Sequence, residues 1–370
     1  MAEPLKNQFG ADIPVKIAGM ISTVFHRFPA EAFVRDALQG YEALDLMQRG
    51  KKIASAMRLY LPDDYSEATE VLIASLGPKL VKTEDIGMSS FLYLPHTLFV
   101  AEHGIDHFDL SMRAQYELTQ RFTAEFSIRP FLERYPEATL AQLATWARDA
   151  NPHVRRLVSE GTRPRLPWAS RLRDFQKDPS PVLGLLELLK DDPSLYVRRS
   201  VSNNLNDIGK DHPDVLVETA RRWLKGATEE RRWLIRHALR SAVKRGEAEA
   251  LEVMGFGEPA RVSVGKVSIK PLRPVIGDDV TISFEIASTA RQPQNVLLDL
   301  RIHFVKASGR TSPKVFKLKT VKLAPQEATQ LRKTISLVEM TTRKHYVGTH
   351  KIEVLLNGNA MPLGTFELFE

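Results

Sequence analysis

The feature that most constrains the fold of this chain is a helix–loop–helix plan that occurs three times within residues 139–246. Each copy has two amphipathic segments, and a Pro-containing turn lies at or between them. The equivalent apolar positions Val154, Val197 and Ile235 are 43 and 38 residues apart. Such periods are typical of HEAT-type repeats, whose helix pairs bury their apolar faces only by stacking on neighbours. We therefore predict an all-α, HEAT-like helical solenoid for residues 1–257.

The second helix of the middle repeat carries a polar row. Arg199, Asn203 and Asp207 are spaced four residues apart, and residues at this spacing lie on one helix face. The row is compatible with an ordinary solvated face and with a surface that presents donors and a carboxylate to a ligand. The repeat alignment favours the second interpretation, because it matches Arg156 to the arginine and Glu160 to the asparagine of the row. We predict that all five residues share one inner surface.

An Arg-rich loop interrupts the repeats at residues 161–173. Its two prolines forbid a continuous helix. Trp168 stands in this loop together with Arg163 and Arg165. The tryptophan could plug the gap between two repeats, or it could stack on a sugar or base while the arginines hold phosphates.

A single acid, Glu125, stands out in the predicted helical stretch of residues 110–134. It lies beside Phe122 and Phe126, which we expect to pack inward. A carboxylate beside aromatic packing is usually a surface ion pair, and occasionally a functional acid at the edge of a cleft. The sequence leaves both interpretations open.

The pattern changes from helical to strand-like near residue 258. Seven short apolar or alternating segments, separated by turn residues, follow over about 110 residues and predict an immunoglobulin-like β-sandwich at 258–370. This region has neither cysteine nor tryptophan, so only the architecture is implied. Its loops are either plain connections or DNA contacts. The candidates for contact are Arg310, Arg343, Lys344, His345 and Tyr346.

Charge is distributed unevenly along the chain. Residues 259–370 hold 17 Lys and Arg against 9 Asp and Glu, and residues 148–245 hold 21 against 13. In the second region Arg236 belongs to a further row of arginines with four-residue spacing. A polyanion suits two such basic regions, although ordinary solubility charge would also explain them.

Several classes of site are excluded or disfavoured by what the sequence lacks. There is no cysteine, so disulfides, thiolate metal sites and cysteine nucleophiles are excluded. No P-loop and no G-x-S-x-G motif is present. His103 and His107 are spaced like half of a zinc-protease motif, but the acid beside the first histidine is missing, so we predict no metal site. No apolar run is long enough to cross a membrane and no signal peptide is evident, so a cytoplasmic protein is expected.

The repeats, the segment VRRSVSNNLNDIGKDHP and the loop RPRLPWASRL resemble the AlkC branch of the AlkC/AlkD DNA glycosylases. Many AlkC proteins also carry a C-terminal Ig-like domain, and the resemblance covers essentially the whole chain. It implies base-excision repair of cationic alkylated bases, such as 3-methyladenine and 3-methylcytosine, in double-stranded DNA. It further implies action without base flipping, without cofactor or metal, by a protein of the bacterial cytoplasm or nucleoid that we expect to be a monomer.

The resemblance also implies which residues carry the activity. The catalytic residues would be Glu125, Glu160, Trp168 and Asp207, with Arg156 nearby. Two other functions remain open from the residues alone. One is a non-catalytic scaffold built from HEAT repeats and an Ig-like domain, and the other is an architectural DNA-binding protein.

Overall fold

A computed structural model describes residues 5–84, 87–340 and 343–370. Within these residues, fifteen α-helices precede seven β-strands. The helices are α1 (Asp12–Val24), α2 (Ala30–Leu38), α3 (Leu46–Tyr60), α4 (Tyr65–Ser75), α5 (Leu94–His103), α6 (Phe108–Thr119), α7 (Ile128–Arg134), α8 (Pro136–Trp146), α9 (Pro152–Gly161), α10 (Arg173–Lys177), α11 (Ser180–Leu189), α12 (Leu195–Ile208), α13 (Pro213–Leu224), α14 (Glu229–Arg245) and α15 (Ala248–Val253). The strands are β1 (Val262–Lys270), β2 (Asp279–Ser288), β3 (Gln294–Val305), β4 (Thr311–Leu323), β5 (Ala328–Ser336), β6 (Gly348–Leu356) and β7 (Asn359–Leu368).

The chain forms two compact units. One contains the residues up to Leu216 together with Trp223–Ala238, and the other contains Val217–Arg222 together with Leu239–Glu370. Helix α15 and the last turns of α14 therefore group with the strands. No helix in the described part of the chain is both long and apolar enough to span a bilayer.

The helices of the three predicted repeats are present as α8 and α9, α11 and α12, and α13 and α14. In the first two repeats the paired helices contact each other. The second helices α9 and α12 pack against each other, and Val154 and Val197 are fully buried. Their amphipathic spacing places one apolar stripe in this interface and leaves the other faces for polar residues. Pro152 begins α9, where its missing N–H costs nothing, and Asn151 caps the helix by accepting a hydrogen bond from His153 N.

The predicted helical stretch of residues 110–134 is instead two helices, α6 and α7, separated by residues 120–127. Phe122 lies buried in this connection and forms an edge contact with Phe91. The connection places Glu125 outside regular helix, one residue after the buried Ala124. A break was not expected here, because the apolar spacing through the connection continues that of the helices.

The β unit is a two-sheet sandwich, as predicted. One sheet has the order β1-β2-β5 and the other has the order β4-β3-β6-β7, and all pairs within the sheets are antiparallel. Alternating residues of β2, including Val280, Ile282 and Phe284, are buried between the sheets. Period-two alternation of this kind fixes the register, because a slip of one residue would turn the apolar set toward solvent.

Candidate active site

Glu125 occupies the turn between α6 and α7 and is held through one of its two carboxylate oxygens. Its Oε2 accepts a hydrogen bond of 2.8 Å from Thr123 Oγ1 and one of 2.6 Å from Arg156 Nη1. Among the described residues, no donor bonds its Oε1. The side chain is only 9% exposed, yet it lines a cavity. Glu125 therefore combines burial with one oxygen that is available to a ligand or water.

Glu160 lies one turn beyond Arg156 on α9 and has both oxygens engaged. Arg163 Nη1 donates to Oε1 at 2.7 Å, and Arg156 Nη2 lies 3.5 Å from the same atom. The Oε2 atom accepts a hydrogen bond of 2.6 Å from Ser200 Oγ on α12. Burial raises the pKa of the Glu160 carboxyl, but the two arginines and these hydrogen bonds outweigh it and hold the pKa below its usual range. Glu160 is therefore a carboxylate at neutral pH.

Asp207, near the end of α12, is more deeply buried than either glutamate. It is 1% exposed, its Oδ2 accepts a bond of 2.8 Å from Arg163 Nε, and its Oδ1 accepts one of 2.7 Å from Lys210 Nζ. Arg163 thus bridges Glu160 and Asp207. Removing one member of such a buried pair would leave the partner charge unpaired, which is costly.

Acids and bases alternate through these contacts and form what we call the charge chain. Its three carboxylates and three cations sum to zero formal charge. Burial lowers the pKa of Arg156, but the neighbouring Glu125 and Glu160 raise it by more than burial lowers it. The net shift of the pKa is therefore upward. In order of contact, the members of the charge chain are Glu125, Arg156, Glu160, Arg163, Asp207 and Lys210.

One face of the charge chain borders a cavity of about 360 Å³ whose rim carries Trp168. The Trp168 side chain is 63% exposed, and its backbone adopts a positive φ of 65°. A bulky residue rarely adopts this conformation unless its surroundings impose it, and such strain is concentrated at functional sites. The cavity is lined by Gly87, Ser90, Phe91, Phe122, Thr123, Glu125, Phe126, Arg156, Glu160, Arg163, Leu166, Pro167, Trp168 and Tyr196.

A second cavity, of about 470 Å³, shares Arg156, Glu160 and Tyr196 with the first. The Arg156 guanidinium lies over the Tyr196 ring at 5.2 Å, so this pair forms part of the wall of both cavities. Arg199 and Asn203 line the second cavity, as the repeat alignment predicts for one shared surface. The structure therefore brings four of the five residues of that predicted surface together around two adjoining cavities.

Three predicted residues are placed differently from what the sequence suggested. Asp207 lines neither cavity, because Arg163 and Lys210 cover its two oxygens. Arg163 is 9% exposed and bonded to two carboxylates, so its guanidinium is engaged within the site and is not presented to a phosphate. Arg165 pairs with Asp211 through a bond of 2.8 Å from Nε, and only part of its side chain is exposed.

The remaining predicted DNA contacts of the helical region and the Ig-like loops are mostly accessible. Arg236 is exposed on α14, Arg310 is exposed in the β3–β4 turn, and Lys344 is exposed after β5. Tyr346 is half-buried. His345 is an exception, since its ring is 5% exposed and packs on the core residue Phe304 at 5.7 Å, so it is not placed to contact DNA.

A basic cavity of about 350 Å³ in the Ig-like unit was not predicted. Besides Arg343 and Lys344 it is lined by Lys306 and Lys314, which lie at facing ends of β3 and β4. Burial lowers the pKa of Lys314, and the neighbouring charges of Arg343, Lys244 and Lys306 lower it further. Such a concentration of positive charge favours an anionic ligand.

The hydroxyls that orient the carboxylates were not predicted from the sequence. Thr123 precedes Glu125 by two residues, a spacing typical of local side-chain bonding, so this contact had a sequence signal. Ser200 reaches Glu160 across 40 positions, and only the packing of α12 on α9 makes that contact. Among the described residues, no group of three or more His, Asp or Glu side chains is arranged to hold a metal ion.

Comparisons with known proteins agree with this architecture. Residues 263–370 match the family model described as "Uncharacterised protein YhaZ, C-terminal Ig-like domain". The chain is 38% identical to YhaZ of Bacillus subtilis over 321 residues, which cover 87% of each protein. A solved structure of Pseudomonas fluorescens AlkC superimposes with a TM-score of 0.93 and 38% identity, covering 100% of both chains.

The chain belongs to the AlkC family. This confirms the resemblance found in the repeat and loop motifs. Because the AlkC match covers both chains completely, the helical region and the Ig-like region are both shared family features. The solved AlkC structure is described as an alkylpurine DNA glycosylase bound to DNA containing an abasic site analog.

Proposed function

We propose that this protein is a DNA glycosylase that hydrolyses the N-glycosidic bond of cationic alkylated bases in double-stranded DNA. The observation that carries the proposal is a buried carboxylate, Glu125, which lines the same cavity as the exposed Trp168 and has one oxygen that no donor among the described residues bonds. The AlkC relative, described as an alkylpurine DNA glycosylase, supports the same reaction class. The ligand in that relative's description, an abasic site analog, corresponds chemically to the product of base release.

A cationic base explains why the site needs no strong general acid. Alkylation at a ring nitrogen of adenine or cytosine puts positive charge on the leaving group, so the base departs as a neutral species without being protonated. The remaining barrier comes from positive charge that develops on the deoxyribose. Carboxylates fixed in a partly dehydrated cavity stabilise that charge without having to reorganise.

Glu125 is the carboxylate best suited to touch the reacting sugar. Its Oε2 is held by Thr123 and Arg156, and this fixes the orientation of the carboxyl group. We assign its Oε1 to stabilising the sugar cation and to accepting a proton from the attacking water. The water then forms a bond to C1′ as the C1′–N bond breaks, and the proton of the water passes to the carboxylate.

Glu160 and Asp207 act differently in this proposal. All their oxygens accept bonds from neighbouring side chains, so they set the positions of Arg156 and Arg163 and contribute negative potential to the cavity. This revises the role that the family resemblance implies for Asp207, which is that of a catalytic residue. It keeps Glu160 at the cavity wall and Asp207 behind Arg163.

Trp168 supplies the aromatic face in the proposed reaction. An exposed indole ring attracts cations through its quadrupole, with a strength of about 1 kcal/mol at exposed sites and more when desolvated. A cationic base or a sugar with oxocarbenium character fits that preference. Because the ring stands at the rim and not inside a closed pocket, we propose that the lesion reacts without being flipped out of the duplex.

The DNA backbone would be held by basic residues outside the charge chain. Arg199 lines the second cavity and Arg236 is exposed on α14, while Lys306, Lys314 and Lys344 surround the basic cavity of the Ig-like unit. Contacts of this kind set affinity and position but do not read sequence. A monomer acting in the bacterial cytoplasm or nucleoid, without metal or cofactor, completes the proposal.

Release of 3-methyladenine and 3-methylcytosine from methylated duplex DNA tests the function directly. The wild-type protein should release at least one of these bases, and Glu125→Gln should bind the same DNA but release that base far more slowly. Salt-sensitive DNA binding with no base release by the wild type would favour an architectural protein instead. If the wild type shows neither DNA binding nor base release, a non-catalytic scaffold is favoured.

A separate experiment tests base flipping. The fluorescence of a 2-aminopurine reporter beside the lesion should stay quenched on binding if no base is flipped.

A further inference from the structure

Arg129, in the first turn of α7, is an almost fully buried arginine that the proposed reaction does not use. It is 2% exposed and makes four hydrogen bonds. All four go to backbone carbonyls of the Arg-rich loop at residues 161–173, which carries Trp168 and is called the Trp168 loop below. Its Nη1 donates to Gly161 O at 3.1 Å and to Arg163 O at 2.9 Å. Its Nε donates to Ser170 O at 3.1 Å, and Nη2 donates to the same oxygen. One guanidinium therefore closes both ends of the loop.

The backbone carbonyls of this loop lack enough hydrogen-bond donors within the loop itself. Gly161 is the last residue of α9, and the carbonyls at a helix C-terminus have no partner within the helix and carry partial negative charge. Pro164 and Pro167 supply no N–H groups, so the loop has fewer backbone donors with which to close itself. A buried guanidinium satisfies three such carbonyls in a fixed planar geometry that an ammonium group cannot reproduce.

Close packing keeps α7 against the base of the loop. A Cβ atom added at Gly161 would lie 2.6 Å from the Ile128 side chain, so glycine is needed for this approach. Burial lowers the pKa of Arg129 to about 10, which leaves the side chain protonated at neutral pH. The charge remains in place although the group is buried, because the carbonyl oxygens solvate it.

Arg129 stands four residues after Glu125, and its hydrogen bonds enclose the loop that carries Trp168. We propose that Arg129 is a positioning residue that sets the spacing between Glu125 and Trp168 across the cavity. Through its bond to Arg163 O it also fixes the backbone from which Arg163 reaches Glu160. This inference rests on the proposed glycosylase function, but the position of Trp168 can be measured without any catalytic assay.

The first test is a double-mutant cycle of Arg129→Lys and Trp168→Ala, read by single-turnover base release. We expect Arg129→Lys to slow release by about 10- to 100-fold at saturating enzyme, with DNA affinity changed far less, because a small misplacement mainly affects the reactive geometry. In the double variant the two losses should not add, since the lysine acts by moving a ring that alanine has already removed. Fully additive losses would overturn the proposal.

A matched control comes from another buried arginine in the same helical unit. Arg49 is 3% exposed and also donates to backbone carbonyls, at Phe9 and Leu44. Arg49→Lys should lower the melting temperature to a similar degree and leave the release rate of the folded protein unchanged. An equal loss of release in both variants would mean that Arg129 acts only through global stability.

The second test reads Trp168 itself. Acrylamide quenching of tryptophan fluorescence, with each variant compared with its own Trp168→Phe counterpart, isolates the exposed indole. Its accessibility should change in Arg129→Lys and stay unchanged in Arg49→Lys, and no change in Arg129→Lys would contradict the proposal. If the wild type releases no base, the proposed function fails while this measurement still decides the role of Arg129. If Arg129→Lys does not fold, Gly161→Ala provides an independent displacement of α7 from the loop, with the same expected change.

Discussion

A 2.6 Å hydrogen bond joins the Arg156 guanidinium to Glu125, two residues that lie 31 positions apart in the chain. It occupies the carboxylate oxygen that also accepts a bond from Thr123, and no donor among the described residues bonds the other oxygen. This contact fixes the orientation of an acid that stands outside regular helix. The oxygen without a donor among the described residues distinguishes Glu125 from Glu160 and Asp207, whose oxygens all accept bonds.

The first prediction ranks the carboxylates by their available oxygens. Glu125→Gln should slow base release by about 100- to 1,000-fold, the range typical of losing one preorganised electrostatic group. Glu160→Gln should have a smaller effect on release, because Glu160 acts by holding Arg156 and Arg163. Single-turnover kinetics on methylated DNA would measure both. Glu70→Gln serves as the control, since Glu70 is exposed and pairs with Arg113 at a distance from the charge chain in sequence. A larger loss for Glu160→Gln than for Glu125→Gln would contradict the ranking.

The second prediction concerns Asp207 and stability. Replacing its carboxylate by an amide removes the charge partner of Lys210 and one of the two carboxylates that pair with the buried Arg163. Asp207→Asn should therefore lower the free energy of unfolding by about 3 kcal/mol. Denaturant unfolding would measure this loss, and base release should fall less than in Glu125→Gln. A stable variant with abolished release would show instead that Asp207 contacts the substrate directly.

The third prediction is the pH dependence contributed by Glu160. Its folded-state pKa lies below the ordinary value of 4.5, because Arg156, Arg163 and the hydrogen bonds from Ser200 and Arg163 outweigh the effect of burial. A lowered folded-state pKa contributes stability that is complete above the ordinary pKa and is lost as the pH falls through the folded-state value. The difference in unfolding free energy between wild type and Glu160→Gln should thus stay constant from pH 8 down to about 5 and shrink below that. A wild-type advantage that instead grows as the pH falls from 8 to 6 would show a raised pKa, because the folded state would then bind more protons than the unfolded state.

The fourth prediction concerns the basic cavity of the Ig-like unit. If Lys314 neutralises one DNA phosphate, Lys314→Gln should reduce the slope of log affinity against log salt concentration by about 0.9. Binding to unmodified duplex DNA over a salt series would measure it. Lys322 lies near the other end of the same strand β4 and does not line the cavity, so Lys322→Gln is the matched control. Equal slopes for Lys314→Gln and the wild type would show that this cavity is not part of the DNA-binding surface.

Much of the fold could be predicted because it is encoded in local periodicity. The spacing of Val154, Val197 and Ile235 marked the helical repeats, and the period-two alternation of segments such as β2 marked the sandwich strands. The break before Glu125 could not be predicted in this way. Phe122 packs on Phe91 and Thr123 bonds Glu125 within the break, and the helical spacing of the surrounding residues gives no sign of either contact.

The sequence by itself determined which residue types gather on the inner helices, because a four-residue spacing places side chains on one helix face wherever the helix packs. Only the tertiary structure decided which of those side chains are available. Asp207 belongs to the predicted set, yet the loop residue Arg163 bonds and covers it across 44 positions. Glu125 lies outside that set, and no donor among the described residues bonds one of its oxygens. Hydrogen-bond partners drawn from distant segments make this difference, and spacing along one helix carries no information about them.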